Sequence, residues 1–154
     1  MLIRDYRISD NDEIATLFFE TVHSINAQDY SPSQIDAWAP KGMDADVLCS
    51  RLSRNHTIVA ESDGEIVGFA SIDTSGCFDL LYIRKDHQRE GIARQLSETI
   101  EEHARKCGTS ILHSYVSISA VPFFLSQGYR IEQKNVIERN GVKLHNYKML
   151  KPIL

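Results

Sequence analysis

The stretch from Phe78 to Val116 constrains the fold of this chain more than any other. An apolar run, Phe78-Asp79-Leu80-Leu81-Tyr82-Ile83, reads as a strand. It feeds a polar loop, Gln88-Arg89-Glu90-Gly91-Ile92-Ala93, and the loop opens a helical pattern from Gly91 to Cys107. Ile92, Leu96, Ile100, Ala104 and Cys107 share the inward face of that helix, and Gly108 stops it. A second strand, Ile111 to Val116, follows. Strand, helix and strand in this order predict a crossover between parallel strands. The first N–H groups of the helix have no intrahelical partner and sit at the positive end of its dipole, which suits an anion. Gly91 and Ala93 allow close approach of phosphate oxygens, and Arg89 and Arg94 bring charge-assisted donors. The loop therefore reads as a pyrophosphate clamp, although it has neither the Lys-Ser/Thr of a Walker loop nor the three glycines of a dinucleotide fingerprint.

The rest of the chain surrounds this unit. Leu2 to Ile8 alternates as a half-buried strand, and Ser9 to Glu13 supplies a helix start. Ile14, Leu17, Phe18, Val22 and Ile25 then recur at helical spacing. Ser31-Pro32-Ser33-Gln34 opens a short second helix that Pro40 and Gly42 close, and Asp44 to Arg51 forms a further helical stretch with Val47, Leu48 and Leu52 inward. Thr57 to Glu61 and Glu65 to Ile72 are strands joined by the turn Ser62-Asp63-Gly64. After Ile111 to Val116 come a short helix, Ala120 to Ser126, and a hairpin in which Tyr129 to Glu138 and Val142 to Met149 meet at Asn140-Gly141. The order β-α-α-β-β-β-α-β-α-β-β predicts an α/β domain with a mixed sheet, antiparallel first and parallel at the crossover.

At 154 residues with a 42% hydrophobic fraction, the expectation is one domain spanning 1–154 with no linker. The net charge of −4 disfavours a nucleic-acid-binding role. Cys49, Cys77 and Cys107 are too few and too scattered for a disulfide framework and read as small buried hydrophobes. The six histidines show no His-x-x-x-His pair, so no metal is assigned. Without a signal-like N-terminus or a spanning segment, the expected location is the cytoplasm, with no membrane partner.

The loop matches Gln/Arg-x-x-Gly-x-Gly/Ala, and with the strand order it resembles the acyl-CoA site of the GCN5-related N-acetyltransferases, the GNAT family. The resemblance covers nearly the whole chain. Tyr30 to Trp38 and Ser119 to Phe124 are further similar to a bacterial subgroup called YafP-like. It implies acetyl-CoA as cosubstrate, lying in a V-shaped gap between the strands that end at Ile83 and near Val116. Leu81, Tyr82 and Ile83 would pair with the pantetheine arm, and Gln88, Arg89, Glu90, Gly91, Ile92, Ala93 and Arg94 would hold the phosphates. Ser117 stands where the family often has a cofactor-contacting asparagine, and Phe124 where it often has a proton-donating tyrosine.

Transfer to a primary amine requires a proton acceptor. Asp79, a carboxylate inside an apolar strand, is the first candidate, with a salt-bridged or substrate-orienting acid as the alternative; Glu61 is the second. Tyr82, Tyr115, Ser117 and Ser119 are candidate proton donors. Substrate contacts are expected from His23, Tyr30, Trp38, His145 and Tyr147, with a small-molecule or peptide amine as acceptor. Of Phe123 and Phe124, Phe123 is the better candidate for core. Direct attack in a ternary complex is favoured over a covalent enzyme intermediate, because no cysteine sits in an electropositive loop. A module that binds acyl-CoA without transfer is the alternative, and the sheet edges of the last hairpin permit a monomer or a homodimer.

Overall fold

The computed structural model describes residues 1–154. Two antiparallel sheets lie side by side. The first has the order β1-β2-β3-β4, formed by Leu2–Asp5, His56–Ser62, Glu65–Ile72 and Phe78–Ile83. The second has the order β5-β7-β6, formed by Ile111–Ser117, Val142–Pro152 and Arg130–Arg139. Helices α1 (Asn11–Ser24), α2 (Pro32–Trp38) and α3 (Asp46–Arg54) fall between β1 and β2; α4 (Ile92–Lys106) joins β4 to β5, and α5 (Val121–Ser126) leads toward β6. The third helix, Asp46–Arg54, forms where the helical stretch Asp44 to Arg51 is expected, although the expected element order counts only two helices before β2.

Local chemistry explains the elements. Ser31 Oγ accepts from Gln34 N at 3.2 Å while Gln34 Oε1 accepts from Ser31 N at 2.9 Å, so the capping box expected for α2 forms. The β2–β3 turn places Asp63 (φ 51) and Gly64 (φ 79) in left-handed conformation, as a two-residue hairpin requires. Asp10 does not cap α1. Its carboxylate instead accepts from both terminal nitrogens of Arg4 at 3.0 Å, which ties the start of α1 to β1 and holds the Asp10 carboxyl below its ordinary range.

The first sheet carries a core on each face. Ile58, Ala70, Phe78, Leu96, Ile100 and Met149 belong to the cluster under α4, while Ile14, Val22, Leu52, Val59, Phe69 and Leu80 belong to the cluster under α1 and α3. This is the period-two alternation of strands covered on both sides. Gly68 sets the closeness of α4 to the sheet: a Cβ there would stand 2.9 Å from Ile83 Cδ1 and 3.2 Å from side-chain atoms of Ile92 and Leu96.

Several expectations are corrected. Val47 is exposed, because α3 turns Leu48 and Leu52 inward instead. Only Cys77 of the three cysteines is buried; Cys107 ends α4 in solvent and Cys49 is half-buried. Burial pushes the Cys77 thiol up to about 12, which leaves it an inert hydrophobe. Phe124 rather than Phe123 is core, at 3% exposure, packed edge-on against Phe78 and Tyr129. The expected parallel ladder between β4 and β5 is reduced to one bridge, Cys77 to His113. No helix of the chain is long and apolar enough to cross a membrane.

Candidate active site

The single parallel bridge makes a cavity. At the vertex His113 N donates to Gly76 O at 3.1 Å and Ser114 Oγ donates to Phe78 O at 2.7 Å, holding β4 and β5 together at their starts. Beyond it the strands diverge, and a space of about 420 Å³ opens between them. Such a volume suits an organic ligand. The β5-facing edge of β4, including Leu81, Tyr82 and Ile83, lines this space.

One end of the space is the loop before α4. Arg89 (φ 60) and Gly91 (φ 81) are both left-handed, and Gly91 caps α4 without any side-chain cap, so the first helical N–H groups stay available. A Cβ at Gly91 would meet nothing, so backbone conformation rather than crowding favours glycine there. Gln88 Nε2 donates to the carbonyls of Ile83 and Arg84 at 2.8 and 3.2 Å, bracing the loop from within. Gln88, Arg89, Gly91, Ile92, Ala93 and Arg94 all line the space; Glu90 does not, and pairs with His87. Neither Arg89 nor Arg94 makes an ion pair, which leaves two guanidinium groups free at a helix N-terminus.

The middle is lined by Ser117, Ser119 and Phe124. Asn26 Nδ2 donates to Ser117 Oγ at 3.4 Å, a contact from α1's exit that the sequence does not reveal. Ser119 Oγ, His145 Nδ1 and Asn146 Oδ1 are buried without a hydrogen-bond partner, and all three residues line the space. Buried polar atoms without partners are uncommon, and these three lie on residues around one cavity with their bonding capacity free.

The far end is aromatic. Tyr30 and Trp38 meet edge to face at 5.3 Å, and Tyr82 meets Phe18 at 4.9 Å. The Tyr30 hydroxyl is committed, donating to His145 O at 2.7 Å and accepting from Ile118 N at 2.9 Å. Burial pushes the Tyr82 hydroxyl up to about 12, despite the opposing influence of Arg51 and Arg139. Asp79 is not the isolated carboxylate expected from its apolar strand. Arg51 grips it through Nη2 at 2.7 Å and Nε at 3.1 Å, and Asn55 Nδ2 donates at 3.0 Å. The carboxylate is therefore salt-bridged, and these three donors leave a lone pair of Oδ1 open toward the cavity.

Three further expected residues lie elsewhere. Glu61 pairs with Arg4 on β2, away from the cavity. His23 stacks on Phe19 and bonds the Ala39 carbonyl, and Tyr147 packs against the α4-side core. Neither lines the cavity, whereas Tyr30, Trp38, Tyr115 and His145 do. Arg51, Arg139 and Asn146 line it without having been singled out; Arg139 had one local signal, its place beside the Asn140-Gly141 turn. His103 and Cys107, one turn apart on α4, were also passed over; the sulfur lies 3.6 Å from Nε2, but no group of three or more potential metal ligands exists.

Residues 26–151 match the family model described as an acetyltransferase (GNAT) domain. The chain is 29% identical over 147 residues to "Uncharacterized N-acetyltransferase YafP" of Escherichia coli (strain K12), covering 96% of this chain and 93% of that protein. A crystal structure from Rhodopseudomonas palustris, titled GCN5-related N-acetyltransferase: aminotransferase, class-II, superposes with a TM-score of 0.94 at 32% identity, over 98% of this chain and 94% of that one. The PaiA N-acetyltransferase of Thermoplasma acidophilum, solved with coenzyme A, shares the fold at a TM-score of 0.80 and 18% identity, over 98% of each chain.

Proposed function

Because the chain belongs to the GNAT acetyltransferase family, we propose that it moves an acetyl group from acetyl-CoA to a primary amine by direct attack in a ternary complex. The observation that carries this reading is the open edge of β4, which ends in an unpaired cationic loop at a helix N-terminus. The residues present fit the cosubstrate: an extended amide-bearing arm matches an exposed strand edge, and a pyrophosphate matches free N–H groups flanked by Arg89 and Arg94. Acetyl-CoA supplies the activated thioester. Leu81, Tyr82 and Ile83 bind the arm through backbone groups, and an N–H of this edge stabilises the charge that develops on the acetyl oxygen. Asp79, held still by Arg51, takes the ammonium proton through its remaining Oδ1 lone pair, directly or by way of water. Tyr82 stays protonated at neutral pH and donates within the aromatic end. Ser119, whose Oγ has no other partner, donates to the departing sulfur.

The test is thermal unfolding with about 1 mM acetyl-CoA and with ATP as control, followed by thiol release with an amine panel. At a dissociation constant near 10 μM the expected stabilisation is about 2.7 kcal/mol. Stabilisation by ATP alone, or none, removes the proposal; stabilisation by acetyl-CoA without thiol release replaces transfer by simple binding.

A further inference from the structure

We propose that the acceptor carries a carboxylate beside its amine, an apolar or aromatic amino acid, and that Arg139 binds that carboxylate. The inference rests on the acetyl-transfer reading and assigns the substrate class of the same cavity. Three charged side chains line the aromatic end: Asp79, Arg51 and Arg139. Asp79 and Arg51 neutralise each other in a two-point ion pair. Arg139 joins none of the ion pairs of the molecule and donates no hydrogen bond to another side chain, so it is the uncompensated charge of that end. A free guanidinium repels polyamines and cationic peptides and presents a fork that fits a carboxylate. This local cation outweighs the net charge of −4 spread over the whole surface, whose steering of cationic molecules is generic and screened by salt.

The backbone that carries Arg139 is held in place. The tip of the β6–β7 hairpin is fastened to the α2 segment by Asn140 Nδ2 donating to Ala37 O at 2.9 Å and by Gln34 Nε2 donating to Lys143 O at 3.0 Å. Glu138 and Lys143 are paired in the strand register one step before Arg139 and Val142, so the pleat turns them to the opposite face. The body of the acceptor meets Phe18, Tyr30, Trp38 and Tyr82. The amine meets acceptors, namely the free lone pair of Asp79 and the unpartnered Oδ1 of Asn146. A cation, an aromatic wall and hydrogen-bond acceptors together describe an amino acid and not a bare amine.

The experiment is calorimetric titration of the CoA-saturated protein with leucine, phenylalanine and tryptophan, each against its own amide, which keeps the amine and side chain and removes the carboxylate. At least one acid is expected to bind about tenfold more tightly than its amide. In Arg139→Gln the acid and amide of that pair bind equally, and in Arg139→Glu the amide binds more tightly. Arg139 is exposed, so both variants are expected to unfold at the wild-type temperature. Equal binding within every pair, binding by none, or an acid preference that survives Arg139→Gln overturns the inference. A CoA titration run first keeps the two claims apart: CoA binding without acid preference removes this inference alone, whereas no CoA binding removes the acetyl-transfer reading as well.

Discussion

The two ends of the cavity are made from different kinds of material. The loop end is drawn from one continuous segment, Ile83 to Arg94, and works chiefly through backbone: two left-handed residues, a helix start without a side-chain cap, and an internal brace from Gln88. The aromatic end gathers single side chains from Phe18 to Asn146 and works through rings and ion pairs. Backbone geometry is indifferent to most substitutions, so the loop end suits a ligand that never changes. Side chains are replaced one at a time, so the aromatic end suits a ligand that differs among proteins of this fold.

This division can be broken by substitutions that ought to affect one end only. The largest effect is expected from Asp79→Asn, which removes the proposed proton acceptor and should lower turnover about a hundredfold or more while leaving acetyl-CoA affinity unchanged. Steady-state kinetics beside calorimetry decides the matter, and unchanged turnover would reduce Asp79 to a partner for Arg51. Next, Gly91→Val places a β-branched residue at φ 81 and should weaken acetyl-CoA binding by about 2 kcal/mol, roughly thirtyfold, without changing the acid-over-amide preference. Loss of that preference in the same variant would show the ends to be coupled. Tyr30→Phe strips one donor and one acceptor from the joint between His145 and Ile118 and should cost about 1–2 kcal/mol of stability in chemical denaturation, with acetyl-CoA affinity intact.

The last effect is absent at neutral pH and appears only in alkali. Tyr82 keeps its proton up to about 12 in the folded chain, whereas an ordinary tyrosine releases it near 10.0. Between those values the unfolded chain ionises first, so the stability linked to this group is whole below pH 10 and is lost as pH rises through 12. Denaturation curves across that window should fall less steeply for Tyr82→Phe than for the wild type. Parallel curves would place the hydroxyl in solvent.

The same contrast explains what could be read from the sequence. The left-handed glycine before α4, the strand–helix–strand order and the capped α2 are written in neighbouring residues, through a glycine position, a period or a cap, and each takes the expected local shape. Asp79 was legible as an acid in an apolar strand, but its partner Arg51 lies 28 residues earlier on helix α3, and no local pattern joins them. Arg139 is likewise an ordinary strand residue until Asn140 fastens the hairpin to α2. The splaying of β4 from β5 was implied by the family resemblance but is not written in either strand. Both have good strand patterns, and in the structure they join only at the vertex around Cys77, His113 and Ser114.

The fastening of the hairpin tip to α2 makes the strand before it a counting device. Side chains along the last steps of β6 alternate in face, so inserting a single residue between Arg139 and Asn140 would keep the turn anchored yet swing the guanidinium to the outer surface and bring the Glu138 carboxylate to the cavity face. One codon gained there would exchange a cation for an anion at the aromatic end without altering the loop before α4.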